Sequence, residues 1–322
     1  MNPRFKTNML EHVKVVAAWA RSCSATSHVD MTDMSLNVGL DSHTAKLIPQ
    51  FHGVFPGGRM GYIGTPEPNA IGFVGWQPYK MQSWDISRSK VAFKQLARNL
   101  GLRTPNHWMQ TGIIDAPFLF KQIGSAFGYG IRGPYLPEQI GSQNLKFAEN
   151  DFAEAFIPGR IARAWYWGER LVVLEMFDMP TVVGNGELTY HQLLVRSLPN
   201  PDELPKDIDN LARFQGLELH DVVANGRKVL ADFRYVSPFN PTIYSNHNVL
   251  STLKNPTILN QFNDAGRLVY PHIPESGAQA MGFVLDAIVD DQDRVWFLEI
   301  NSNPQLHPDV YPEMLSKLFG RS

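Results

Sequence analysis

The stretch 282–304, GFVLDAIVDDQDRVWFLEINSNP, constrains this chain more than any other part of it. It reads as two strands joined by an acidic turn, with Asp286 on the first strand and Glu299 and Asn301 on the second. Side chains alternate along a strand, so Glu299 and Asn301 are expected on one face with Val295 and Phe297, and Trp296, Leu298 and Ile300 on the other. A two-residue turn at Asp291-Gln292 sets Asp286 opposite Phe297 and diagonal to Glu299. A turn at Gln292-Asp293 sets it directly opposite Glu299. Either register gathers the three polar groups on one face, whereas a three-residue turn breaks the arrangement. Carboxylates among apolar neighbours are costly unless a cation pairs with them. Asp286, Glu299 and Asn301 are therefore expected to hold Mg²⁺ against a nucleotide phosphate, in an ATP-using enzyme. A solvated edge hairpin is the competing reading, and Val295 and Phe297 beside Glu299 speak against it.

The chain has 322 residues and a net charge of −2, from 29 basic and 31 acidic side chains. This length supports two or three subdomains, and the balance carries no footprint of a nucleic-acid partner. The single cysteine, Cys23, excludes an intrachain disulfide and suits a reducing compartment. The N-terminal apolar stretch is too short and interrupted for a signal peptide or a membrane span. A soluble, cytoplasmic protein without a membrane partner is expected.

Along the chain, HVKVVAAWA suggests a first strand and AIGFVGW a later one. From Asp85, Phe93, Leu96, Ala97 and Leu100 fall at helical spacing, with Asp85 or Ser87 as cap and Gly101 as the left-handed stop. APFLFKQ reads as a buried strand ending in Lys121, followed by the glycine-rich loop GSAFGYGIRGPY. DFAEAF, RIARAWYW and ERLVVLEMF read as strands, with a turn at Pro158-Gly159. A helix is expected over residues 208–215, a hairpin around Asn225-Gly226 and a helix from Ser276 into Met281. The Trp165-Tyr166-Trp167 run suits core packing, and the scattered histidines lack helical metal spacing.

Gly128, Gly130 and Gly133 form a G-x-G-x-x-G, but Pro134 and Pro137 oppose the helix that a dinucleotide fingerprint requires. No GxxxxGK[ST] occurs, and no HRD or DFG. A loop of this kind after a strand ending in lysine suits the covering of phosphate.

Four segments in this order resemble the ATP-grasp superfamily over about residues 85 to 310: SKVAFKQLARNLGLRTP, FLFKQIGSAFGYG, AEAFIPGRIAR and LDAIVDDQDRVWFLEINSNP. The resemblance implies an α+β ATP-grasp fold, two α+β subdomains clasping ATP, preceded by a small α/β N-terminal domain. The corresponding division is 1–84, 85–155 with the lid, and 156–322 with the metal site. It further implies that Lys90 and Lys121 touch the phosphates, with Gly124, Ser125, Gly128 and Gly130 in the lid. Glu154 would accept from the adenine amino group, completed by the backbone of Phe156 and Ile157. Asp286, Glu299 and Asn301 would carry Mg²⁺, for which Mn²⁺ can substitute, and Arg163 and Arg234 would act on substrate.

Three positions depart from the family pattern. Ile161 stands where some members have a ribose-binding acid, Ser-Asn-Pro-Gln follows Asn301, and Val284 stands where D-alanine ligase-like members place an arginine. The activity implied is ADP-forming ligation of a small-molecule carboxylate to an amine (amino acids or peptides) through an acylphosphate. A small-molecule kinase and a non-catalytic ATP-binding regulator are the alternatives. The resemblance admits a homodimer.

Overall fold

A computed structural model describes residues 3–54, 61–64, 72–110, 114–124, 130–198, 200–205, 207–235, 237–239, 248–274 and 280–321. The first element is a helix, α1 (Pro3–Ser22), where valine-rich VKVVAAWA had suggested a strand. His12, Val16, Trp19 and Ala20 are its buried positions, and that spacing is helical, so the 3.6-residue period outweighs the β preference of the valines. An antiparallel sheet follows: β1 (Thr26–Val29), β2 (Leu36–Leu40), β3 (His43–Val54), β4 (Gly61–Ile63) and β5 (Gly72–Gln77), which returns to pair with β3. The expected strand at AIGFVGW is β5, but the segment is a helix plus an antiparallel sheet rather than alternating α/β.

The expected helix from Asp85 is split into α2 (Asp85–Arg88) and α3 (Lys90–Asn99). Ser89 is extended at φ −125° and its side chain accepts from Ala92 N, so Ser89 caps α3 rather than Asp85 or Ser87. Gly101 at φ +73° ends the helix as expected. Next come β6 (His107–Trp108), β7 (Phe118–Gln122), β8 (Arg132–Tyr135), the short α4 (Gln139–Ser142) and β9 (Asp151–Ala155), whose strands form a sheet in the order β6-β9-β7-β8. The glycine-rich segment thus ends in a strand. Ser125 and Gly128 lie outside the described residues.

β10 (Arg160–Trp167) and β11 (Arg170–Asp178) open the central sheet. A smaller unit intervenes, made of β12 (Thr181–Val183), α5 (Tyr190–Ser197), α6 (Ile208–Phe214) and β13 (Lys228–Leu230). The hairpin expected around Asn225-Gly226 does not form. Gly226 turns the chain at φ +77°, but β13 then pairs back onto β12. Helix α7 (Pro256–Val269) leads to β14 (Gly282–Val289), β15 (Val295–Asn301) and α8 (Tyr311–Leu318). Residues 276–279 of the helix expected before β14 lie outside the described residues, and Ala280 and Met281 are not helical.

The central sheet has the order β11-β10-β14-β15 and is covered on both faces. Leu285, Ala287 and Val289 pack with Phe262 of α7 in a large core that also takes in Val16, Trp19, Leu36 and Tyr311. N-terminal helix and C-terminal helix thereby share one interior, each large apolar side chain contributing about 1.5–3 kcal/mol. On the other face, Ile161 and Ile288 pack with Leu193, Leu211 and Val229 of the smaller unit. Among the described residues, no helix is long and apolar enough to cross a membrane.

Candidate functional site

The β14–β15 turn has three residues, the length expected to break the site. Asp293 adopts φ +58°, and the Asp290 carboxylate accepts from the N–H of Gln292 at 3.0 Å and of Arg294 at 2.9 Å. A second irregularity compensates. Ala287 pairs with Phe297 but Asp286 pairs with Glu299, so Leu298 is an extra residue in β15, a β-bulge. Val295, Phe297 and Ile300 all enter the large core, whereas Leu298 packs with the smaller unit's core. Glu299 therefore shares a face with Asp286 and not, as strict alternation had predicted, with Val295 and Phe297. Asn301 donates from Nδ2 to Asp286 Oδ2 at 2.9 Å, so all three expected ligands do meet.

The register across the sheet aligns four charged residues in one row: Glu175 on β11, Arg163 on β10, Asp286 on β14 and Glu299 on β15. Lys90 extends the row from α3, its Nζ 3.1 Å from Glu299 Oε2. Arg163 Nε lies 2.9 Å from Asp286 Oδ1, although the N–H is not aligned for a hydrogen bond. The signs run minus, plus, minus, minus, plus, so the unfavourable step is Asp286 against Glu299. Burial first, and then Glu299, push the Asp286 carboxyl up to about 6 against the relief given by Arg163. Two facing carboxylates and an amide oxygen fit a hard dication. Among the described residues no group of three or more His, Cys, Asp or Glu is placed to hold a metal, so such an ion would use the Asn301 amide and non-protein oxygens as well.

A second cluster lies where β7 and β9 adjoin α3. Glu154 is paired with both Lys121 and Lys94, and Lys94 also donates to Thr104 Oγ1 at 3.1 Å. All three are buried. Burial alone would raise the Glu154 carboxyl, but Lys121 and Lys94 overcome it and hold the group at about 2. Two ammonium groups share one carboxylate, which leaves a net positive buried site suited to an anion. Glu154 is thus engaged by lysines, not open to an amino group. Lys94 is absent from the residues expected from sequence. The signal for it was its place between Phe93 and Ala97 on the buried stripe of α3, four residues from Lys90.

The Phe156 N–H, part of the backbone expected to complete the adenine contacts, donates to Pro117 O at 2.8 Å and is already used. Ile157 lines a cleft of about 550 Å³ with Gly159, Arg160, Asp178 and Trp296. Gly124 lines another of about 440 Å³ with Gln122 and Asn150. Gly130 adopts φ +75° against the Gln122 side chain.

Of the two expected arginines, the site contains Arg163 and not Arg234. Arg234 is engaged by both carboxylate oxygens of Asp207 at 2.6 Å and by Asp232 at 3.0 Å. Its neighbour Tyr235 reaches the row instead, donating to Glu175 Oε2 at 2.6 Å and lying 4.7 Å from the Arg163 guanidinium. His307 Nε2 is 3.7 Å from Glu175 Oε1, and its ring packs edge-on against Trp165. Sequence reasoning missed Glu175 and Tyr235, whose approach depends on strand pairing and a remote loop.

No protein-family model matches the chain, and no curated protein does. Solved structures that it resembles include a bifunctional glutathione synthetase from Pasteurella multocida, at 12% identity and a TM-score of 0.46 over 97% of this chain and 43% of that one. A D-Ala:D-Ser ligase from Enterococcus faecalis is 12% identical with a TM-score of 0.41, over 73% of this chain and 61% of that one. An L-amino acid ligase from Bacillus licheniformis is 11% identical with a TM-score of 0.34, over 67% of this chain and 40% of that one. The chain spans less than two thirds of the length of each of these.

Proposed function

We propose that this chain is an ATP-dependent carboxylate–amine ligase of the ATP-grasp type, releasing ADP and phosphate, with the three-part organisation expected from sequence. The observation that carries the reading is the placement of α3. One helical turn apart, it presents Lys90 to the acidic row at Glu299 and Lys94 to Glu154. Basic groups for phosphate and carboxylates for a dication are thereby joined by a single rigid element.

In this reading Lys90, Lys94 and Lys121 neutralise phosphate oxygens, and Asp286, Glu299 and Asn301 would hold Mg²⁺. When bound, the ion would supply charge neutralisation at the β- and γ-phosphates. Arg163, set on β10 between Asp286 and Glu175, orients the substrate carboxylate. A carboxylate oxygen attacks the γ-phosphorus, the bond to the bridging β–γ oxygen breaks, and ADP leaves. The amine then attacks the acyl carbon, phosphate departs and the amine proton passes to solvent. Arg163 stabilises the oxyanion of that step in the place that Val284 leaves without a charge. No covalent enzyme nucleophile is needed. Cytoplasmic small-molecule substrates, amino acids or peptides, belong to this proposal.

The test is ADP release from ATP and Mg²⁺ against pools of amino acids and small carboxylates, with Glu299→Ala as control. Substrate-dependent ADP and an amide product, both lost in the variant, support ligation. A phosphorylated hydroxyl product would make the protein a kinase, and AMP in place of ADP would overturn the acylphosphate route.

A further inference from the structure

Glu175 has no part in the chemistry above, yet it is placed as deliberately as the groups that do. It is a buried acid, 5% exposed, directly opposite Arg163 on the side away from Asp286. Arg163 is therefore flanked by one carboxylate on each neighbouring strand. Tyr235 fixes Glu175 through the 2.6 Å hydrogen bond to Oε2, and the Arg163 guanidinium lies 4.7 Å from the Tyr235 ring and 5.4 Å from that of Trp165. Both rings lie close to the guanidinium, which keeps its two acidic neighbours.

A guanidinium at Asp286 and a dication at the same carboxylate repel each other. In a partly buried site that repulsion is screened far less than in water. Arg163 cannot give up its ion pair with Asp286 there without cost. We propose that Glu175 is the alternate partner of Arg163, a positioning residue that takes up the guanidinium when a divalent cation occupies Asp286 and Glu299. Tyr235 holds the receiving carboxylate in place for this exchange. The proposal rests on the reading of Asp286 and Glu299 as cation ligands. It makes cation affinity depend on a residue that does not touch the cation.

The test is Mn²⁺ binding to the full chain without nucleotide, followed by electron paramagnetic resonance and titration calorimetry. Glu175→Gln deprives Arg163 of its second partner, so Arg163 stays on Asp286 and Mn²⁺ binds about tenfold more weakly, within the usual range of coupling between two sites. Glu175→Asp, which keeps the charge, recovers much of that loss, and Tyr235→Phe shows a smaller loss of the same sign. Arg163→Gln is the decisive background. There the Glu175→Gln penalty disappears, because no guanidinium remains to be exchanged. Thermal unfolding of each variant confirms that it is folded. An unchanged affinity in folded Glu175→Gln overturns the proposal. So does a penalty of equal size in the Arg163→Gln background, which would be the through-space loss of a negative charge. A wild-type chain that takes no Mn²⁺ overturns the cation reading itself, and the partner exchange with it. Wild-type binding lost in Glu299→Ala keeps the cation reading intact whatever Glu175→Gln does.

Discussion

Lys90 and Lys94 lie one turn apart on α3 but serve different sheets: Lys90 stands 3.1 Å from Glu299 of β15, and Lys94 is paired with Glu154 of β9. The consequences of removing them differ. Lys94 is fully buried and has a second lysine, Lys121, beside the same acid. Burial, acting ahead of the attraction of Glu154, lowers the Lys94 ammonium below its ordinary range. Lys94→Met is expected to cost little stability, about 1 kcal/mol or less, because Lys121 still pairs with Glu154. Glu154→Ala leaves two buried ammonium groups without their carboxylate and is expected to cost about 3–5 kcal/mol. Urea unfolding at neutral pH separates the two. Equal losses would mean that the lysines are not sharing one acid.

Glu154 also has a pH signature. Its folded value of about 2 lies below the ordinary 4.5, so its contribution to stability is complete above pH 4.5 and disappears as pH falls toward 2. Replacing it with Gln should therefore flatten the unfolding free energy in that acid window and leave the slope above pH 5 unchanged. A titration of unfolding free energy from pH 2 to 6 reads this directly.

His12 acts in a different window. It is fully buried on α1, with Nδ1 2.9 Å from the Tyr311 hydroxyl of the C-terminal helix. Burial, with a smaller effect of His307, holds its imidazole down at about 3 against an ordinary 6.5. The folded state keeps His12 neutral while the unfolded chain takes up a proton below 6.5. Stability from this residue is thus present above pH 6.5 and is lost as pH falls toward 3, with a ceiling of about 1.4 kcal/mol per pH unit for one proton. His12→Gln should remove about one proton from the pH dependence between 6.5 and 3. Chemical denaturation at pH 6.5, 5.5 and 4.5 gives the slope, and an unaltered slope would place the acid sensitivity elsewhere.

Divalent cation should stabilise the chain through Asp286 and Glu299. At a hundredfold excess over Kd the gain is about 2.7 kcal/mol, read as a higher thermal midpoint with Mg²⁺ than with chelator. Glu299→Ala should abolish the difference. A rise that persists in the variant would assign the effect to another part of the surface.

Much of this site could be read in the sequence because its signals are local. Asp286, Glu299 and Asn301 fall on one hairpin, Lys121 closes an apolar strand, and Gly101 stops α3 where the helical spacing ends. The misreadings have two physical causes. One is compensation: the three-residue turn at Asp293 and the bulge at Leu298 each change the register, and their effects cancel at Asp286, which no alternation rule anticipates. The other is distance along the chain. Glu175, Arg163 and Asp286 form a row only because β10 pairs with both β11 and β14, and Tyr235 arrives from the segment that follows β13. The charge of Arg234 is visible in a sequence, whereas the acids that engage it, Asp207 and Asp232, are brought together only by folding. In α1 the valines pointed to a strand, but the buried spacing of His12, Val16 and Trp19 was already helical.

Three glycines separate contact from backbone conformation as the reason for their identity. A Cβ on Gly159, between β9 and β10, would fall 2.3 Å from the Val289 carbonyl oxygen, and one on Gly266 of α7 would fall 2.3 Å from that of Glu169. Neither neighbour is the end of a flexible side chain, so the strands or the helix must move apart. Gly101 meets nothing within 4 Å but adopts φ +73°, where an L side chain costs about 1–2 kcal/mol. Gly159→Ala and Gly266→Ala are therefore expected to lose more stability than Gly101→Ala, at or above the upper end of the 1–3 kcal/mol typical of overpacking. Gly159 also lines the cleft with Ile157 and Trp296, so its alanine variant should weaken ATP binding beyond its effect on folding, whereas Gly266→Ala, with its close contacts at Glu169 and Tyr166, should not. Calorimetric ATP titration of the two variants below their unfolding range decides this. Equal affinities would remove the β9–β10 connection from the nucleotide site.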